Sequence, residues 1–350
     1  MDKNIKDFFS GKGILVIGGT GTIGSEIVNQ LLICNPRVIR IFTNSENELW
    51  ETQLRFDQYS EKLRFLLGDI RDYDRVLKAM EDIDIIFNAA AIKHVHISEY
   101  NPMEAITVNL IGLSNIIEAA INKKVRKIIQ ISTDKAVSPT TVMGATKMIG
   151  EKLCLSRYFS KGTHDIAISC VRFGNVLGSR GSIIPLIKEQ LRRSNEIFLT
   201  SKEMRRFFMS ISEAVELVLK AAMVSINGEI FVLKMPTVQI KDLMEVIVEE
   251  YCPTIGKNPQ DIKIIETKPK PGEKFDEELV SEIEQKNCFE NEDMLVIIPS
   301  FDFDENDIEQ KIAKIGKPLS EESYGLISTK NATPLTKSEI KKILKYLKFI

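Results

Sequence analysis

The sequence is poor in the residue types on which metal centres and disulfide frameworks depend. It holds three histidines and five cysteines, and the cysteines lie far apart with no Cys-x-x-Cys pair. An odd number of scattered cysteines argues against a disulfide framework or a zinc site and favours buried thiols in a reducing compartment. We therefore predict a cytoplasmic protein without a metal site.

The sequence also lacks an excess of charge of one sign and any long apolar run. Basic and acidic residues number 47 and 49, a net charge of −2, whereas nucleic-acid-binding proteins carry a basic excess. The longest uncharged stretches, 13–25 and 105–117, are shorter than the roughly 18 apolar residues of a membrane span. The start, MDKNIKDFFSGKG, has no apolar signal-peptide core. We expect no nucleic-acid partner, no membrane span and no signal peptide.

What the sequence does contain is an alternation of short apolar runs with longer helical patterns, such as 103–122. Runs without polar alternation are typical of strands covered on both faces. Alternating strands and helices predict parallel strands with right-handed crossovers, and therefore an α/β fold with a doubly wound parallel sheet. The predicted strands are 14–17, 38–42, 63–67, 84–88, 127–131, 166–171 and 230–233.

The length of 350 residues favours two domains. After residue 174 the alternation loosens, and a glycine- and serine-rich stretch and a proline-punctuated loop follow. We predict one domain from 1–174 plus 208–234 and a smaller one from 175–207 plus 235–320. The remaining residues, 321–350, form a C-terminal helical extension whose last helix either covers a neighbouring element or is solvated.

A glycine-rich loop follows the first predicted strand and opens a helix. Gly18, Gly21 and Gly24 allow a tight turn, a close approach to a pyrophosphate and close packing of helix on strand. The helix N-terminus then offers N–H groups to the phosphates. At the first strand–helix junction this pattern predicts a dinucleotide site that also includes Thr20, Thr22 and Ile23, and the alternative is a glycine turn without a ligand.

The choice between NAD and NADP is open in the sequence. An acidic residue at the end of the second strand favours NAD, but Thr43, Asn44 and Ser45 are neutral and no arginine is present to hold a 2′-phosphate. Asp69, after the third strand, either binds the adenine amino group or caps a helix. Ile70, Ala89 and Ala90 are further candidates for contact with the cofactor.

Asp134 and Lys135 follow the fifth predicted strand, and Lys147 lies on the next helix. Ligands of parallel sheets bind at the carboxyl ends of the strands. An Asp–Lys pair there can donate and accept protons, provided that the pKa of the lysine is low enough to leave a neutral amine. The alternative is that Asp134 caps a turn and Lys135 is solvated. We expect Lys147 to hydrogen-bond the nicotinamide ribose.

Several motifs together resemble one family, the nucleotide-sugar 4,6-dehydratases of polysaccharide biosynthesis, which are extended short-chain dehydrogenase/reductases. The sequence is most similar to soluble UDP-N-acetylglucosamine 4,6-dehydratases. The motifs run in order through most of the chain: GDIRD (68–72), NAAAIKHV (88–95), EYNPMEAITVNLIG (99–112), STDKAVSPTTVMGATK (132–147), VRFGNVLGSRGSIIP (171–185), MRRF (204–207) and KPGEKFDEE (270–278).

The resemblance implies a Rossmann sheet with a smaller C-terminal substrate-binding domain, a tightly bound NADP or NAD that is regenerated in each cycle, and a homo-oligomer. It implies that Lys135 is the base at sugar C5, Asp134 the acid for the departing C6 hydroxyl and Thr133 the partner of the C4 oxygen. Lys147 would hold the cofactor ribose. The implied contacts with the nucleotide sugar are Lys93, Asn175, Arg180, Ser182, Arg206, Lys270 and Glu273.

Two departures from the family pattern keep alternatives open. Met143 stands where most short-chain dehydrogenases have tyrosine, and a thioether cannot accept the proton of the C4 hydroxyl. That proton then passes to Asp134, Thr133 or water. Lys270 replaces an arginine, so a GDP-sugar substrate is an alternative to a UDP-sugar. A 4-epimerase is disfavoured without the tyrosine, and a non-catalytic dinucleotide sensor is a further alternative.

Overall fold

The computed structural model describes residues 2–160, 166–269, 271–298, 316–320, 323 and 327–350. Its strands in chain order are β1 Gly13–Ile17, β2 Val38–Thr43, β3 Leu63–Leu67, β4 Ile85–Asn88, β5 Lys127–Ile131, β6 Ala167–Arg172, β7 Asn175–Val176, β8 Glu196–Leu199, β9 Arg205–Met209, β10 Ile230–Leu233, β11 Thr237–Gln239, β12 Lys263–Glu266, β13 Cys288–Glu290, β14 Met294–Ile297 and β15 Lys317–Pro318.

The α-helices are α1 Lys3–Phe9, α2 Thr22–Leu32, α3 Glu46–Arg55, α4 Tyr73–Ala79, α5 Val95–Tyr100, α6 Pro102–Ile106, α7 Leu113–Asn122, α8 Val142–Ser160, α9 Ile183–Arg193, α10 Ile211–Val224, α11 Ile240–Tyr251, α12 Glu282–Gln285 and a C-terminal helix Lys337–Tyr346. A π-helical segment, Thr107–Gly112, joins α6 to α7.

The main sheet has the strand order β15-β13-β14-β10-β6-β5-β4-β1-β2-β3. The strands from β10 to β3 are parallel, and β14, β13 and β15 add antiparallel pairs at one edge. The chain winds outward from β1 in both directions, so the direction of winding reverses between β1 and β4. Such a reversal opens a crevice at the carboxyl ends of the strands, where ligands bind. The predicted doubly wound α/β fold is confirmed.

The predicted strands coincide with β1–β6 and β10 to within one residue at each end. Their residues are mostly apolar because both faces of the sheet are covered: every residue of β1, β4, β6 and β10 is buried. Helix 103–122 is present but irregular, because its middle turns are π-helical. Pro102–Asn122 is long and apolar enough to cross a membrane by length and composition alone, yet Leu113, Ile116 and Ile117 pack in the main core.

The remaining strands form two small sheets, β11-β9-β7 and β12-β8, beside a second apolar core. This core holds residues of α9 and α11 and also Ile340 and Leu344 of the C-terminal helix, which therefore covers a neighbouring element rather than lying free in solvent. The sheet membership departs from the predicted domain boundary. Strands β13, β14 and β15 fall within the predicted segment 235–320 but pair with the main sheet, because Leu295 and Val296 extend the buried surface beyond β10.

Candidate active site

The glycine loop between β1 and α2 has the backbone of a phosphate-binding turn. Gly18 adopts a φ of +72°, and a Cβ there would overlap the backbone of Ala89 and Ala90. A Cβ on Gly24 would overlap the carbonyl of Gly18. Gly21 is the N-cap of α2 and brings no side chain to its first N–H groups. The loop thus leaves a helix N-terminus open to an anion, as the sequence predicts.

This loop borders a cleft of about 710 Å³ at the carboxyl ends of the strands. Most of the predicted site residues share that cleft. Those that line it are Gly18, Thr20, Gly21, Thr22, Ile23, Gly24, Thr43, Asn44, Asp69, Ile70, Ala89, Ala90, Lys93, Thr133, Lys135, Lys147, Asn175, Arg180 and Ser182.

At one end of the cleft, side chains from β2 and α3 meet the glycine loop. The Thr20 hydroxyl lies 3.1 Å from Thr43 Oγ1 and 2.8 Å from Glu48 Oε2. Glu48 supplies the acidic group that the tip of β2 lacks, although it comes from the following helix. Ser45 does not line the cleft, because its hydroxyl caps α3 by accepting from the Glu48 N–H at 3.4 Å.

Asp69 lies at the same end and does not cap a helix, since the N-cap of α4 is Asp72. Its carboxylate accepts from the Arg71 guanidinium at 2.7 and 3.0 Å and from the Arg71 N–H at 2.9 Å. These hydrogen bonds hold the pKa of Asp69 below its usual range. The capping alternative is therefore wrong, and the carboxylate is a charged acceptor at the cleft wall.

The chemical groups sit on the turn after β5. Thr133 Oγ1 donates to Asp134 Oδ1 at 2.7 Å, and Lys135 Nζ donates to both Asp134 oxygens at 3.1 and 3.3 Å. The Asp134 side chain is only 1% exposed, while Thr133 and Lys135 face the cleft. Thr133, not Asp134, caps the short helix that follows. The alternative of a capping Asp134 and a solvated Lys135 is wrong.

A second carboxylate, that of Glu277, lies behind Lys135. Its Oε1 is 3.4 Å from Lys135 Nζ, and its side chain is 3% exposed. Burial lowers the pKa of Lys135, but the attraction of Asp134 and Glu277 outweighs it, so that pKa lies above its usual value. The neutral amine that proton transfer by Lys135 requires is therefore disfavoured, because Glu277, an anion 142 positions away that the sequence does not link to Lys135, stabilises the ammonium.

Met143 and Lys147 project from the first turns of α8. Met143 is buried yet lines the cleft, where the family tyrosine would stand. Lys147 lies one turn further and donates to the Ile131 carbonyl at 2.9 Å. Burial lowers the pKa of this amine to about 8.

The far wall of the cleft comes from β7, the loop after it and the start of α9. Arg180 reaches across to the glycine loop: its guanidinium donates to the Thr20 carbonyl at 2.6 Å and pairs with Glu48 at 2.5 Å. Lys93 Nζ donates to the Arg180 carbonyl at 3.2 Å. The Ser182 hydroxyl, at the N-cap of α9, is buried without a hydrogen-bond partner among the described residues.

Two predicted substrate contacts among the described residues, Arg206 and Glu273, are not brought to this cleft. Arg206 is buried elsewhere, and its guanidinium donates to the Lys274 and Phe275 carbonyls at 2.7 and 3.0 Å. Glu273 is half-buried on the loop before Glu277 and does not line the cleft. Lys270 lies outside the described residues.

Sequence reasoning missed Glu277 and Glu48. Glu277 belongs to the motif KPGEKFDEE, so its position in a family motif was the available signal, but nothing local links it to Lys135. Glu48 was detectable as the acidic residue three positions after the capping Ser45, a pattern that marks a helix start rather than a ligand site.

Curated relatives resemble the chain along most or all of its length. An "Uncharacterized membrane protein" of Methanocaldococcus jannaschii is 49% identical over 100% of both chains. A "UDP-N-acetylglucosamine 4,6-dehydratase (inverting)" of Campylobacter jejuni is 34% identical over 95% of this chain and 96% of its own. A "UDP-glucose 4-epimerase" of Rickettsia rickettsii is 37% identical over 78% of this chain and 79% of its own.

The structure of Pen from Bacillus thuringiensis superposes with a TM-score of 0.90 at 39% identity, covering 98% of this chain and 99% of that one. Residues 14–299 match the family model described as "Polysaccharide biosynthesis protein". The chain therefore belongs to this polysaccharide biosynthesis family, whose members include nucleotide-sugar dehydratases and epimerases.

Proposed function

We propose that the protein catalyses the NAD(P)-dependent 4,6-dehydration of a UDP-N-acetylhexosamine, with UDP-N-acetylglucosamine as the first substrate to test. One observation carries the proposal: the Thr133 and Lys135 side chains, both bonded to Asp134, face the same cleft as the glycine loop. The Campylobacter jejuni relative, named for this reaction, supports it.

The residues at the glycine loop fit a dinucleotide. The backbone of Gly18–Gly24 receives the pyrophosphate, Asp69 offers an acceptor for the adenine amino group, and the Lys147 ammonium donates to a ribose hydroxyl. A bound nicotinamide would supply the acceptor for a hydride from sugar C4 and its return to C6. Glu48 favours NAD, because a carboxylate repels a 2′-phosphate, whereas Arg180 beside it offsets that charge.

The proton of the C4 hydroxyl has a path that does not require a tyrosine. Thr133 Oγ1 accepts it while passing its own proton to Asp134 Oδ1, 2.7 Å away. The Asp134 carboxylate is buried and can receive this proton without contact with water. The path accounts for Met143, since the thioether only needs to fill the space above the sugar.

Loss of water then involves the enzyme form in which Lys135, which lines the cleft, has released one proton to solvent. Because the pKa of Lys135 is raised, this form grows with pH, and its neutral amine accepts the C5 proton. The Asp134 carboxyl does not face the cleft, so the proton that leaves with the C6 hydroxyl reaches the sugar through Thr133 or Lys135, which both contact Asp134. The proton released at C4 thus ends in the departing water, and the C5 proton is replaced when the hydride returns.

The opposite wall of the cleft provides a place for the diphosphate. The Ser182 hydroxyl is buried without a partner among the described residues and lies at the N-terminus of the 11-residue helix α9. Helix N-termini bind phosphates through their N–H groups. Asn175 and Lys93 line the same wall, and Lys93 adds a positive charge.

Mass spectrometry of the product tests the proposal. Purified protein incubated with UDP-N-acetylglucosamine should yield a product lighter by one water, and a GDP-sugar tested in parallel separates the two nucleotides. Lys135→Ala and Thr133→Val should each lower kcat by about a hundredfold or more while leaving dinucleotide binding intact. Val142→Ala, at the first residue of α8 and outside the lining of the cleft, is the control and should stay within about threefold of the wild type.

A 4-epimerase is the second candidate, and the Rickettsia rickettsii relative favours it. An epimerase gives a product of unchanged mass and altered C4 configuration, which NMR of the product detects. Dinucleotide binding without turnover of any sugar would instead favour a sensor and contradict both enzymatic proposals.

A further inference from the structure

Glu277 is buried behind Lys135, the candidate base, and hydrogen bonds to Thr329 fix its backbone. Its backbone N–H donates to Thr329 Oγ1 at 2.9 Å, and the Thr329 N–H donates back to the Glu277 carbonyl at 3.0 Å. Thr329 is fully buried. These two hydrogen bonds fix the backbone of Glu277, so the fold itself places the carboxylate beside Lys135.

The two carboxylate oxygens of Glu277 have different surroundings. Oε1 lies 3.4 Å from Lys135 Nζ and 3.7 Å from Arg206 Nε. Oε2 is buried and has no hydrogen-bond partner among the described residues. An unpaired buried carboxylate oxygen costs free energy, and such costs are concentrated at functional sites.

An ion pair with Arg206 does not by itself explain why the Glu277 carboxylate lies beside Lys135. The Arg206 guanidinium already donates to the Lys274 and Phe275 carbonyls at 2.7 and 3.0 Å, while its approach to Glu277 is a looser 3.7 Å. The carboxylate lies closer to Lys135, which already has Asp134 as a counter-ion. Asp134 and Glu277 balance the charges of Lys135 and Arg206, but both carboxylates lie within 3.4 Å of the Lys135 amine, whereas Arg206 is 3.7 Å from Glu277.

We propose that Glu277 is a positioning residue for Lys135: it holds the amine at the cleft and fixes how tightly that amine keeps its proton. The inference rests on the proposed function, in which Lys135 is the base. Glu277 itself does not line the cleft, so it acts on the sugar only through Lys135.

The charged groups that face this pair are few. Asp134 lies on the same turn as Lys135, Arg206 comes from β9, and Lys274 precedes Glu277 on its loop. Burial raises the pKa of Glu277, and Lys135, Arg206 and Lys274 oppose that rise. Because the Glu277 side chain is only 3% exposed, its charge is weakly screened and acts strongly on an amine 3.4 Å away.

Glu277 affects the step in which Lys135 removes the proton from sugar C5. The C5–H bond breaks, and its electron pair stays on the sugar as the enolate of the C4 ketone. The proton forms a new N–H bond on Lys135. The resulting ammonium is stabilised by the Asp134 and Glu277 carboxylates. If Asp134 has taken the C4 proton and lost its charge, Glu277 is the remaining anion in contact with that ammonium.

An NMR titration of isotope-labelled lysine side chains tests the proposal without any substrate, with the Lys135 signal assigned from its loss in Lys135→Met. In the wild type, Lys135 should titrate above the usual lysine value of about 10.4. In Glu277→Gln its pKa should fall by about 1–3 units, because one of two neighbouring anions is removed. An unchanged pKa in this variant would overturn the proposal.

Kinetics give a second readout that a merely structural role would not move. In Glu277→Gln the acid limb of the pH profile of kcat should shift to lower pH. The kcat on the plateau above that limb should fall about tenfold or more, because a weaker base accepts the C5 proton less readily, with KM within about threefold. Glu277→Asp keeps the charge and should restore part of the wild-type pH profile and part of kcat. Glu278→Gln is the matched control, because that carboxylate accepts from Ser138 at 3.4 Å and does not pair with Lys135.

The outcomes separate this inference from the proposed function. A wild type that turns over no nucleotide sugar contradicts the function, while the lysine titration still decides whether Glu277 sets the protonation of Lys135. If Glu277→Gln does not fold, the titration of the wild type and of Glu277→Asp decides, and a wild-type Lys135 that titrates at or below 10.4 refutes the inference.

Discussion

Lys147 illustrates the cost of a residue kept for binding. Burial lowers its pKa to about 8 in the folded protein, below the usual value of about 10.4 in an unfolded chain. The unfolded state therefore binds more protons between these two values, and stability rises with pH across that window. Below pH 8 the folded protein bears the full cost of a buried ammonium.

Lys147→Met should therefore stabilise the protein and impair its function. We expect the free energy of unfolding at pH 7 to rise by about 1–2 kcal/mol, with the gain shrinking towards pH 10, and dinucleotide affinity to fall. Urea denaturation and calorimetric titration with NAD measure the two effects. Lys152→Met, at an exposed position of the same helix, should change neither. A destabilised Lys147→Met would contradict the prediction.

Candidate site residues that are adjacent in the sequence were predictable from it. Thr133, Asp134 and Lys135 follow a strand end, and the fold places strand ends at the ligand edge. Residues whose partners are remote in the chain were not. Arg206 matches a family motif, but only the fold shows that carbonyls 68 and 69 positions away occupy its guanidinium.

At the scale of elements, one buried arginine links a strand and two helices near the turn that follows β5. Arg172 of β6 is 1% exposed and forms paired hydrogen bonds with Glu151 of α8, at 3.1 and 2.6 Å, and with Glu284 of α12, at 3.0 Å each. Glu151 also accepts from Ser132 at 2.5 Å, immediately before Thr133. The network ties the turn to the packing of α8 and α12.

Arg172→Lys should be strongly destabilising although it keeps the charge. An ammonium cannot make two parallel pairs of hydrogen bonds, and a buried carboxylate is then left without its partner. We expect a loss of about 3–5 kcal/mol in the free energy of unfolding, measured by urea denaturation. Arg193→Lys, in the exposed pair with Glu189, should cost less than about 0.5 kcal/mol. A loss below 1 kcal/mol for Arg172→Lys would show that the network is not a structural tie.

The π-helical segment is an element that the sequence pattern did not reveal. Asn109 within it hydrogen-bonds the backbone of Ile92 on both sides, at 2.8 and 3.1 Å, and Thr146 of α8 at 3.0 Å. These bonds fix the cleft loop that carries Lys93. Apolar periodicity predicts a regular helix over 103–122 because it reports only which face of the helix is buried. It does not report that the Asn109 side chain hydrogen-bonds a distant loop.

At the scale of the whole molecule, the surface of α5, α6 and α8 exposes an apolar patch that consists of Ile97, Tyr100, Met103 and Ile149. These side chains are 41%, 88%, 64% and 43% exposed, and the three helices pack against one another. Contiguous exposed apolar surface marks interaction sites. We propose that the homo-oligomer expected from the family resemblance forms here.

Charged substitutions in the patch should dissociate the oligomer. Ile149→Lys should shift the protein to a smaller species in sedimentation velocity, because an interface core rejects an unpaired ammonium. Leu186→Lys, at an apolar position of α9 that is 55% exposed, should leave the species unchanged. A wild type that sediments as a monomer would rule out the interface.

The parallel part of the sheet was predictable because its strands are long, apolar and separated by helices. The antiparallel edge was not. Strands β13 and β15 are only three and two residues long and include Glu290 and Lys317, so they lack an apolar run that marks them as strands. Their pairing depends on a neighbouring strand edge, which exists only once the fold is formed.

The return of β10, β14 and β13 to the main sheet limits how the protein can be dissected. A fragment that stops at residue 174 would leave β6, whose residues are all buried in the whole chain, as a bare edge, which is a template for aggregation. Chimeras that aim to exchange sugar specificity between relatives must therefore swap interior pieces and retain 230–233 and 288–297, instead of joining two halves at one junction.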